Sequence, residues 1–126
     1  MKVMKKFVLL FFGIISIGLN AQSKIICNEK KACEKMGNDA IKCVAAAESS
    51  SFQINKEETA ILHSAKIETT YYIDSKKYDE KSNITIYQTH TKAAEKIDIL
   101  IGPKTVIISS IDHANTYSEY KIERLQ

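Results

Sequence analysis

The sequence predicts an α+β domain, mainly β: a short N-terminal helical segment packed on an antiparallel β-meander of about six to seven strands, forming a partial barrel or a sandwich. Two patterns carry this reading. Over residues 28–48, Ala32, Cys33, Met36, Ala40, Cys43, Val44 and Ala47 fall within about 120° of one another at a helical 100° per residue. From Phe52 onward the apolar residues recur with a period of two between short turns. No helical stretch alternates with these later strands, so a parallel sheet is disfavoured.

Residues 1–21 form a separate unit. Met1 to Lys6 is basic, Phe7 to Leu19 is almost wholly apolar, and Asn20-Ala21-Gln22 supplies a small residue at a cleavage point. This is the tripartite plan of a secretory signal, and the apolar run is shorter than the roughly 20 residues a membrane helix needs. The expected product is one mature domain, residues 22–126, with a helical, Cys-bearing part (22–50) and a sheet (51–126). It has no membrane span. Removing the signal removes three lysines and no acid, which leaves 15 basic against 15 acidic residues. The charge excess of a nucleic-acid binder is therefore absent, and no nucleic-acid partner is expected. Nor does the mature chain carry the polybasic attraction of a membrane-surface protein.

Gly37-Asn38-Asp39 interrupts the helical pattern, and glycine and Asn/Asp are usual helix stops and N-caps. Two short helices, 28–36 and 39–48, follow from this; one helix tolerating Gly37 at about 1 kcal/mol is the alternative. The three cysteines, Cys27, Cys33 and Cys43, all lie in this part. In an exported chain one disulfide is expected, with one thiol left over that could bridge to a second copy as a homodimer. Cys33–Cys43 is the favoured pair and Cys27–Cys43 the next. In one straight helix Cys33 and Cys43 would stand about 15 Å apart, against the roughly 4.4–6.8 Å between Cα atoms that a disulfide spans. The favoured pair thus requires a sharp bend at Gly37. Metal ligation by the cysteines lacks a C-x-x-C pair.

After the polar joint Ser49-Ser50-Ser51, strands are expected at 51–55, 59–63, 69–74, 83–91, 95–101, 104–111 and 117–123, with a charged turn over 75–82 and a turn at Gly102-Pro103. The whole arrangement, a signal ending in Asn-Ala-Gln, a short Cys-bearing segment and then a run of strands, resembles the small secreted proteins of Bacteroidota. That resemblance implies a periplasmic or secreted location and no activity.

Candidate chemistry is sparse. The chain has no phosphate-cradling glycine loop, no G-x-S-x-G elbow and no H-E-x-x-H, and no cofactor is expected. His63, His90 and His113 sit on or just after different strands and would make a three-His metal site only if the strands converge. Cys27 as a nucleophile, or His90 or His113 beside Asp98 or Asp112, would be the basis of a small periplasmic enzyme. Asp74, Asp79 and Glu80 alternate with lysines, as a solvated loop does. The most suggestive group is Thr70, Tyr72, Thr85, Tyr87 and Thr89, a Tyr/Thr-rich sheet face with apolar bodies and hydroxyl tips suited to contact with a protein or glycan. The expectation is an exported, non-catalytic binding protein with a protein partner, of the inhibitor or immunity type. The main alternative is a lipocalin-like carrier, whose sign would be inward Ile and Tyr side chains around an empty pocket of roughly 300 Å³ or more.

Overall fold

The computed structural model describes residues 23–113 and 115–126; the expected signal segment, 1–21, lies outside them. Eight antiparallel strands follow one another around a closed barrel: β1 (Ser23–Lys35), β2 (Ile41–Ile54), β3 (Ala60–Ser64), β4 (Glu68–Asp79), β5 (Ile84–His90), β6 (Lys96–Ile101), β7 (Thr105–Ser110) and β8 (Thr116–Leu125). The ring closes because β8 pairs with β1, from Ile25↔Leu125 to Glu34↔Thr116. Closure pairs the first strand with the last, while β2 outruns the short β3, which covers it only over Ser51–Ile54.

The expected N-terminal helices are not there. Residues 28–48 lie in β1 and β2, a long hairpin whose turn is the Gly37-Asn38-Asp39 segment. The only helical element among the described residues is a single 3₁₀ turn, Ile111–His113. Alanine and cysteine at spacings of three and four imitate a helix face, but they also pair across a hairpin: Ala32 lies opposite Val44 and Cys33 opposite Cys43. Non-local pairing decides between the two periods, since β1 is bonded on both sides, to β2 and to β8. The partial barrel or sandwich of six to seven strands is corrected with it: β1 is the missing stave. The expected charged turn over 75–82 is shorter than expected, because β4 runs on to Asp79 opposite β5.

The disulfide joins Cys33 to Cys43, the favoured pair, with Cα atoms 4.1 Å apart. That spacing suits a directly opposed, non-hydrogen-bonded pair on an antiparallel ladder. No bent helix is involved. The turn is a three-residue loop in which Met36 N–H donates to Ala40 O (2.7 Å), Asp39 N–H donates to Met36 O (3.1 Å), and Asp39 is left-handed (φ 66°). The loop between β5 and β6 repeats this build, with Thr91 bonded to Glu95 and to Ala94, and Ala94 left-handed (φ 65°).

The centre of the barrel is apolar: Phe52, Ile61, Ile99 and Val106 are fully buried there, while Gln53, Gln88, Asp98 and Glu119 alternate with inward residues along the wall. Over these central strands the alternation runs opposite to the apolar-out, polar-in pattern of a transmembrane barrel. Among the described residues no helix is long and apolar enough to cross a membrane.

Candidate functional site

The barrel is open at the end that holds both strand termini and the turn after β6. The strands meeting there finish on inward apolar residues: Ile25 on β1, Ile54 on β2, Ile101 on β6 and Ile122 on β8. With Tyr87, Pro103 and Leu125 they line a cavity of about 240 Å³, and Lys24, Thr85 and Gln126 complete its wall. Below it the fully buried Phe52, Ile61, Ile99 and Val106 plug the barrel. The cavity lies where alternation continues to the strand ends, beyond the fully buried layer. Backbone bonds between Lys24 and Gln126 (3.2 and 2.8 Å) and from Gly102 N–H to Thr105 O (2.9 Å) hold the rim.

One side of this mouth is tied by a polar strap. Tyr87 Oη donates to Glu58 Oε1 (3.2 Å) on the turn after β2, and Lys76 Nζ donates to the same oxygen (2.8 Å). Burial, followed by the Glu58 charge and that hydrogen bond, pushes the Tyr87 phenol far above its ordinary value. It stays a neutral donor.

The opposite end has a broader groove of about 600 Å³ beside the β1–β2 hairpin, with Glu34, Lys42, His113 and Thr116 among its lining residues. Between the two ends, Phe52 and His63 stack face to face (centroids 4.1 Å) and Tyr120 meets both edge-on (5.2 and 5.0 Å). Burial is the main force that lowers the His63 pKa to about 4; Glu48 opposes it and Lys30 adds to it. His63 is therefore a neutral core ring at ordinary pH, and its Nε2 has no hydrogen-bond partner among the described residues.

The five residues of the expected Tyr/Thr face do not share a surface. Tyr87 and Thr89 point inward and are buried, whereas Thr70 and Tyr72 flank the inward Tyr71 and lie on the outer wall. Thr89 has a structural partner: its Oγ1 donates to Ile97 O (2.8 Å) across the β5–β6 pair. Thr85 and Tyr87 instead both line the apolar cavity. Strand alternation would have put Thr85, Tyr87 and Thr89 together on one face; which face looked inward depended on closure.

The histidines also separate. His63 is in the core, His90 is on the outer wall and His113 is on the 3₁₀ turn. Among the described residues no group of three metal-ligating side chains converges. His90 Nδ1 is paired with Asp74 (2.9 Å), not with Asp98 or Asp112, and its ring stacks on Tyr72 (5.5 Å). Cys27 is 1% exposed, and burial raises its thiol pKa to about 11. It is a protonated core side chain, poorly placed for nucleophilic attack or for a bridge to another copy. The disulfide fits an oxidising, non-cytoplasmic compartment. Comparison with protein-family models, curated proteins and solved structures finds no match for this chain.

Proposed function

We propose that the protein is an exported, non-catalytic β-barrel that binds a small apolar ligand in its open mouth. The observation that carries this is the cavity of about 240 Å³ ringed by Ile25, Ile54, Ile101 and Ile122 with Tyr87. Apolar pockets with a few polar groups at one edge are the usual form of small-molecule sites, and drug-sized ones span roughly 300–1,000 Å³. This one suits a smaller guest, such as a short hydrocarbon chain or a single ring. Lys24 and Gln126 on the wall favour a guest whose polar or anionic end stays near the opening. A protein-binding module would instead use the stretch Ile41–Ser50 of β2, which lies beyond its pairing with β3 over Ser51–Ile54.

The test is calorimetric titration of the mature protein with n-alkyl carboxylates of increasing chain length, repeated on Thr85→Trp, whose indole would occupy the cavity. Binding that strengthens with chain length and is lost in the variant is the expected result. The absence of binding by every chain, or equal binding by the variant, would overturn the proposal.

A further inference from the structure

We propose that two copies of this chain pair antiparallel through the free edge of β2, in a single register centred on Ala45. β2 pairs with β3 only over Ser51–Ile54, whereas β1 covers its other side as far as Ile41. Among the described residues, no strand pairs with the outer edge of Ile41–Ser50.

The Cα spacing of 4.1 Å between Cys33 and Cys43 marks a non-hydrogen-bonded pair of the β1–β2 ladder. The N–H and C=O of Cys43 therefore point away from β1. The bond from Lys35 N–H to Asn115 O, on the β8 side, agrees with this phase. By the same alternation Ile41, Ala45 and Ala47 present their backbone groups to the open edge. Such a row of donors and acceptors is a template for another strand.

The side chains select the partner. A twofold axis normal to the sheet keeps each copy's faces aligned, so odd positions meet odd and even meet even. Among these registers, centring on Ala45 sets Lys42 opposite Glu48 of the other copy, and by symmetry does so twice. It places the outward-bonding residues as hydrogen-bonded pairs, Ala45↔Ala45 and Cys43↔Ala47, and sets Val44 against Ala46. Sliding by one step either way along the same parity puts Lys42 opposite Ala46 or Ser50 and loses both charge pairs. Three consecutive alanines, Ala45 to Ala47, leave the centre unobstructed. Ile41 and Val44, 56% and 64% exposed, lie within this edge and would be partly covered. Opposite charges directly across an antiparallel pair are favourable, and like charges are not.

The experiment is sedimentation equilibrium of the oxidised mature protein over a concentration series, with four variants. The wild type is expected to dimerise. Ala45→Pro should be monomeric while keeping the barrel, since it removes an edge N–H that β1 does not use. Lys42→Glu and Glu48→Lys should each weaken the dimer at least tenfold, and the double exchange Lys42→Glu/Glu48→Lys should restore it. A wild type that stays monomeric throughout overturns the proposal. So does a dimer indifferent to Ala45→Pro, or a double exchange that remains as weak as the single ones.

Discussion

His63 shows how burial changes what a residue is for. It lies directly opposite Phe52 on the β2–β3 ladder and stacks on it inside the barrel. Its pKa is lowered to about 4 from 6.5. Above pH 6.5 neither the folded nor the unfolded chain protonates it. As pH falls from 6.5 towards 4, the unfolded chain takes up the proton and the folded one does not, so folded stability falls. The full loss is about 3 kcal/mol, reached below pH 4. Urea titrations at several pH values should show this slope, and His63→Phe should flatten it relative to the wild type. A wild-type slope retained in the variant would place its origin in the carboxylates. The sequence contains this histidine on an alternating strand, but its spacing cannot say whether an imidazole faces water or core. Tyr87 and Thr89 were illegible in the same way: period two groups them, and only closure assigns that group to the inside.

At the scale of elements, most of the later strands were legible, because β3 and β5 to β8 are short, alternate cleanly and end at recognisable turns. The β1–β2 hairpin was not. Its alanines and cysteines at spacings of three and four satisfy a helical wheel, and its Asn-Asp turn doubles as a helix cap. What overrides this is remote: the pairing of β1 with β8, whose partners run from Ile25↔Leu125 to Glu34↔Thr116 at the far end of the sequence. The expected disulfide nevertheless forms, because a hairpin turn brings Cys33 and Cys43 opposite one another as a bent helix pair was supposed to do. Cross-linking across a sequence separation of 10 should contribute about 2–3 kcal/mol. The Cys33→Ser/Cys43→Ser variant should lose that amount in denaturant unfolding, and unchanged stability would mean the hairpin holds without it. The turn after β5 offers the opposite change. Ala94 is left-handed at φ 65°, a conformation that costs an L-residue roughly 1–2 kcal/mol and glycine much less. Ala94→Gly should therefore raise stability by about 1 kcal/mol, a gain of several degrees in Tm. A lower Tm would show that the loop gains more from alanine's restricted unfolded state than it loses to strain.

For the molecule as a whole, the barrel's two ends differ. One end extends into the β1–β2 hairpin, with its disulfide and open edge. The other is an apolar mouth that the core plugs but does not fill. Composition gave no sign of a charge-driven partner, and no local pattern revealed a cavity, because a cavity is made by residues from β1, β2, β5, β6 and β8 together. A carrier of this build must accept an apolar guest in that mouth. The most direct measurement is a two-dimensional NMR titration of residues 22–126 with a medium-chain n-alkyl carboxylate. Saturable shifts concentrated at Lys24, Ile25, Ile54, Thr85, Gly102 and Ile122, with the β1–β2 hairpin unmoved, are the predicted result. Shifts confined to the opposite end, or none at concentrations where the carboxylate remains monomeric, would contradict it.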